Sequence, residues 1–96
     1  MELLFTEPEP NRFESSDGYS VEILGRSRIK YSEKDRSTSI QSEALATIGS
    51  MALYKDSLIH WDPPHEAELL TIETRNKIIS RVDAAFAWRG YKLEVM

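Results

Sequence analysis

Tyr19-Ser20-Val21-Glu22-Ile23-Leu24-Gly25-Arg26-Ser27-Arg28-Ile29-Lys30-Tyr31 is the stretch on which the fold turns. Tyr19, Val21 and Ile23 alternate with Ser20, Glu22 and Leu24, the period of a half-buried strand. Beyond Gly25 the alternation resumes, with Ile29 and Tyr31 on one face and Arg28 and Lys30 on the other. The loop between the strands follows from parity, because a one-residue slip moves every side chain to the opposite face. A two-residue loop sets Ile23 against Arg28 and Val21 against Lys30, mixing the faces. A three-residue loop, Gly25-Arg26-Ser27, pairs Ile23 with Ile29, Val21 with Tyr31 and Glu22 with Lys30, which satisfies both faces. The polar run Ser32 to Arg36 makes the next turn. A four-residue loop, Glu33 to Arg36, then sets Tyr31 opposite Thr38 and Ile29 opposite Ile40 in a third strand that ends near Gln41. A meander with one apolar face results.

On the N-terminal side, residues 1–17 carry Glu7-Pro8-Glu9-Pro10 and little apolar content after Phe5. Each proline removes a backbone donor and biases its predecessor toward extended conformations. The segment is expected to be an extended acidic arm, with Leu3 to Phe5 added to a sheet edge or left as a mobile terminus. Residues 18–96 are expected to form the single folded domain.

On the C-terminal side, residues 42–50 read either as one helical turn capped by Ser42 and ended by Gly49, or as an irregular crossing. Met51 to Tyr54 and Leu58 to Trp61 read as a second hairpin around Lys55-Asp56-Ser57, with Met51, Leu53, Ile59 and Trp61 on its core face. Asp62-Pro63-Pro64 stops that strand, since neither proline can donate to a ladder. A helix follows from the N-cap Thr71 to about Trp88, where Gly90 supplies the stop. Its apolar stripe is Ile72, Ile79, Val82 and Phe86, flanked by Ile78 and Ala85. Tyr91, Leu93 and Val95 close the chain as a last strand. The fold class is α+β: an antiparallel sheet in the order β-β-β-β-β-α-β, with one long C-terminal helix packed across it.

Composition narrows function mainly by exclusion. Of 96 residues, 41% are hydrophobic and 29% charged, the profile of one ordinary globular domain. No apolar run approaches the roughly 20 residues of a membrane span. The start lacks the basic region and apolar stretch of a signal peptide, which points to the cytoplasm. Cysteine is absent, which excludes disulfides and zinc-thiolate sites. A formal charge of −4 argues against nucleic acid as a partner.

Several residues invite a chemical reading. His60-x-Asp62-x-x-His65 holds both histidines, but the prolines turn the chain between them and no further histidine or cysteine completes a ligand set. Neither a metal nor a cofactor is expected. No Gly-x-Ser-x-Gly elbow and no phosphate-binding glycine loop is present, so no catalytic residue is assigned and the protein is read as a non-enzyme. Arg26, Arg28, Lys30, Lys34 and Arg36 form a local basic cluster diluted by Glu22, Glu33 and Asp35, better read as a solvated face with ion pairs. Arg75 interrupts the helical stripe. It either lies past the sheet edge in solvent, fixes an acid such as Asp62 or Glu43, or faces a ligand. Trp88 lies off the stripe and reads equally as a partner anchor or as packing for the C-terminal arm.

The order of features from Ser42 onward resembles a family of small immunity proteins from bacterial polymorphic-toxin systems. The matching pieces are Ser42-Glu43, Leu53-Tyr54-Lys55-Asp56-Ser57-Leu58-Ile59 and Trp61-Asp62-x-Pro64. Thr71-Ile72-x-x-x-Arg75-x-x-Ile78-Ile79 and the final strand opened by Gly90 follow. The likeness spans roughly residues 18–96 and leaves out the acidic arm. It implies a cytoplasmic α+β protein that binds and neutralises a cognate toxin domain by occlusion, and it carries over no catalytic residue. Glu43, Tyr54, Asp56, Asp62 and Arg75, polar or aromatic groups around the second hairpin and the helix start, are the expected partner contacts. A second copy pairing at a sheet edge is the alternative partner.

Overall fold

The computed structural model describes residues 4–96, so the expected edge role of Leu3 lies outside the described residues. The meander has the expected register. Strands β3 (Tyr19–Leu24), β4 (Arg28–Glu33) and β5 (Arg36–Ala44) pair antiparallel, with Val21 opposite Tyr31, Ile23 opposite Ile29, and Ile29 opposite Ile40. Burial follows the same parity: Val21, Ile29, Tyr31, Thr38 and Ile40 are buried, and Glu22, Lys30 and Ser39 line the outer face. Strand β5 runs three residues beyond Gln41. Ser42 therefore sits in the sheet, rather than capping a helical turn or lying in an irregular crossing.

The N-terminal segment folds onto this meander. Strands β1 (Phe5–Glu9) and β2 (Arg12–Ser15) form a hairpin around Pro10-Asn11, with Asn11 at φ 66°, a left-handed conformation that asparagine tolerates. Phe5 joins the sheet edge as expected, but the residues after it pair as strands instead of forming an extended arm, because Phe13 shares the parity of Phe5. Phe5 and Phe13 both face inward and are buried. Both contact Trp88, at ring-centroid distances of 5.7 and 6.2 Å, so that tryptophan packs the N-terminal hairpin and not a C-terminal arm.

The expected second hairpin does not form. Strand β6 (Ser50–Leu53) pairs antiparallel with β5 on one edge and parallel with β7 (Lys92–Val95) on the other, which completes a seven-stranded sheet in sequence order. With both edges of β6 taken, no position remains for Leu58 to Trp61 as a strand. Lys55–Ser57 makes a 3-10 turn instead, and the segment beyond it crosses the sheet irregularly. Burial follows the crossing and not strand alternation: Leu58 and Trp61 enter the core while Ile59 is 52% exposed. The sheet is thus antiparallel except at its last pairing. A parallel neighbour needs a long crossover, and the helix supplies it.

Helix α1 (Ile72–Arg89) begins and ends as expected. Thr71 Oγ1 accepts the Thr74 backbone N–H at 3.1 Å, and Gly90 adopts φ 84° as the left-handed terminator. Its buried stripe is Ile78, Val82, Ala85 and Phe86, whereas Ile72 is 73% exposed. At about 100° per residue, that arc is rotated by roughly 50° from the expected one. The rotation is toward the flank of Arg81 and Trp88, where the extra hairpin β1–β2 adds apolar surface to cover.

Candidate functional site

Strand parity places Ser37, Ser39, Gln41 and Glu43 in a row on the outer face of β5. The crossing segment is laid against this row by polar contacts. Ser57 Oγ accepts the Gln41 backbone N–H at 2.9 Å and donates to the Tyr54 carbonyl at 2.7 Å, stitching the 3-10 turn to the strand. The Asp62 backbone N–H donates to the Ser37 carbonyl at 2.7 Å, and Ser39 Oγ donates to Asp62 Oδ2 at 3.2 Å. Tyr54 Oη donates to Glu43 Oε2 at 2.7 Å. That bond to a carboxylate raises the Tyr54 phenol above its ordinary range, because the ionised phenol could not donate it.

Two adjoining concavities result. One, of about 460 Å³, is lined by Ser27, Arg28, Ser39, Gln41, Ser57 and Asp62 among others. The other, of about 520 Å³, is lined by Gln41, Tyr54, Asp56, Ser57 and Ile59. They share Gln41 and Ser57, so they form one groove. Asp62 and Asp56 lie along it, Glu43 stands beside Tyr54, and Arg28 lines the far side. Chemically the groove offers carboxylate and hydroxyl acceptors, with one aromatic and one exposed isoleucine. It suits a polar, cation-bearing surface.

Four of the five expected contacts therefore meet at one corner. Arg75 does not join them. Its Nε donates to the Leu58 carbonyl at 3.1 Å, tying the crossing to the helix from behind. Of its possible partners the carbonyl is the one observed, and neither Asp62 nor Glu43 is engaged. The histidines separate as well. His60 is exposed with Nδ1 2.9 Å from the Trp61 carbonyl, while His65 lies 3.0 Å from Glu68 and 3.6 Å from Asp35. Among the described residues no group of three or more His, Cys, Asp or Glu is placed to hold a metal ion.

A second polar cluster escaped sequence reasoning. Tyr31, buried in the sheet, donates to Glu33 Oε1 at 2.9 Å and accepts from Arg81 Nη1 at 2.8 Å. Arg81 also lies over the Tyr19 ring, 4.6 Å from its centroid, and Lys77 approaches Glu33 at 3.7 Å. Burial pushes the Tyr31 phenol up to about 12, with the Arg81 bond opposing and Glu33 adding to the shift. Parity held the signal: Glu33 continues the inward series Ile29, Tyr31, and an inward carboxylate requires a cation on the facing helix. Arg36 and Glu68 form a two-bonded pair at 3.3 and 3.1 Å that pins the crossing to the β4–β5 turn. No sequence spacing announced it.

No helix among the described residues is long and apolar enough to cross a membrane. No curated protein and no solved structure matches the chain. One family does, under the description Immunity protein 74, over residues 20–96. That stretch takes in the meander from Ser20, both walls of the groove, the capped helix and the closing strand, and leaves out the β1–β2 hairpin. With the match extending over most of its length, the chain belongs to the Immunity protein 74 family.

Proposed function

We propose that the protein binds a cognate bacterial toxin domain in the cytoplasm and neutralises it by occlusion, without catalysis of its own. The observation that carries this reading is the groove at the β5 corner. Asp56 and Asp62 lie along it and Glu43 lies beside Tyr54, on a backbone tied to β5 by Ser57 and the Asp62 N–H. Carboxylates arranged this way speed encounter with a positively charged partner, and a pre-ordered surface loses little freedom on binding. Tyr54 and Ile59 provide the apolar contact that rim charges cannot. Arg75 acts indirectly, by holding Leu58 and thereby the floor of the corner.

Co-expression with a candidate toxin, sought among the products of the neighbouring genes, tests the proposal. The unaltered protein should restore growth and co-purify with the toxin. The Asp56→Lys/Asp62→Lys variant, folded by circular dichroism, should lose affinity by about tenfold or more, mostly through slower association. A toxin that neither binds nor is restrained by the unaltered protein would defeat the proposal. Equal binding by the double variant would remove the groove from it.

A further inference from the structure

Strand β7 ends the sheet with one edge unpaired among the described residues. The Lys92 N–H donates to the Gly49 carbonyl at 2.8 Å and the Met96 N–H to the Leu53 carbonyl at 2.8 Å. In a parallel ladder the backbone groups of alternate residues face the neighbour, so positions 92, 94 and 96 turn toward β6. The N–H and C=O of Leu93 and Val95 point away from the sheet. The opposite edge, β1, is blunted by Pro8 and by a register irregularity between Thr6 and Glu9. Strand β7 has neither device.

We infer that the β7 edges of two copies pair antiparallel about a twofold axis at Leu93. The pattern Tyr91-Lys92-Leu93-Glu94-Val95 is complementary to itself in that register and in no neighbouring one. Leu93 of each copy meets its counterpart as a hydrogen-bonded pair, using the outward backbone groups. Lys92 of one copy then stands opposite Glu94 of the other, twice by symmetry, and Tyr91 opposite Val95 on the core face. An axis at Lys92 or Glu94 would oppose like charges and require backbone groups already bonded to β6. An axis at Val95 would set Glu94 opposite Met96 and forgo the Lys92–Glu94 pairs. Lys92 and Glu94 are free to exchange partners, since their same-strand contact spans 3.9 Å and their side chains are 73% and 45% exposed. Val95 and Met96, 45% and 59% exposed, gain cover. A ribbon this short buries less than the roughly 1,000 Å² of a stable interface, so the dimer depends on concentration.

The test is sedimentation and light scattering of the full chain across a concentration series, with no toxin present. The unaltered protein should move from one copy toward two. Lys92→Glu and Glu94→Lys each set like charges opposite one another at both symmetric positions and should weaken association by about tenfold. The combined Lys92→Glu/Glu94→Lys variant restores opposite charges and should restore the dimer. The Leu93 and Val95 amides of the unaltered protein should also exchange more slowly as concentration rises. This last measurement holds even if a variant fails to fold. A protein monomeric throughout, single variants that dimerise as well as the parent, or amides indifferent to concentration would each overturn the inference.

Discussion

The meander β3–β5 and the crossing from Tyr54 to Leu70 lie side by side, yet they are held together differently. The meander is secured by two continuous ladders and an inner face of mostly buried side chains. The crossing is secured by separate points: Leu58 and Trp61 in the core, Ser57 and Asp62 on β5, Arg75 on the Leu58 carbonyl, and Arg36 on Glu68. A ladder distributes the loss of any one bond, whereas a pinned segment opens where its pin is removed. The scaffold and the proposed contact surface thus belong to different stability regimes.

The largest effect should come from the scaffold. Ile29→Ala removes a fully buried side chain between two ladders and should cost about 3–5 kcal/mol, read as one cooperative shift in the denaturant midpoint. Leu58→Ala removes an equally buried side chain from a segment that can relax inward, so its cost should fall near 2 kcal/mol, and the difference between the two midpoints measures the contrast directly.

Alkali attacks the scaffold selectively. The Tyr31 phenol sits at about 12 in the folded protein, against the ordinary 10 when unfolded. Its contribution is therefore complete below pH 10 and is lost as pH rises toward 12, on the order of 2 kcal/mol in all. Tyr19, raised by burial, adds in the same direction. A tyrosinate absorbance titration should find a late phenol that vanishes in Tyr31→Phe, whose stability should fall less across that window. The smallest effect belongs to the crossing: Ser57→Ala should cost about 1 kcal/mol and raise amide exchange at Gln41 and in the 3-10 turn, leaving β3 and β4 protected. Uniform exchange across both regions would erase the distinction.

The same contrast explains what could be read from the sequence. The register of strands β3 to β5 was legible because their partners are near in the chain and parity tests each pairing, although Glu33 and Arg36 pair instead of looping and β5 continues past Gln41 to Ala44. The crossing was not, since Leu58 and Ile59 are alike in chemistry and only the arrival of β7 on β6 decides which is buried. Met51 to Leu53 read correctly as a strand, with the wrong neighbour. Of the corner, sequence supplied Glu43, Tyr54, Asp56 and Asp62. It could not show that Arg75 turns to a backbone carbonyl, a choice made by distances across the fold. The N-terminal hairpin was not legible because Pro8 and Pro10 argue against a ladder and the cover for Phe13, Trp88, lies far along the chain.

That hairpin has a consequence for the order in which the protein folds. Phe5 and Phe13 rest on Trp88, and Glu7 accepts from Arg89 Nε at 2.9 Å across 82 positions of chain. Until the helix is formed, Phe5 and Phe13 lack the Trp88 ring that packs on both. Contacts this distant in sequence close slowly. The full cover of the hairpin therefore depends on the last turn of the helix being in place.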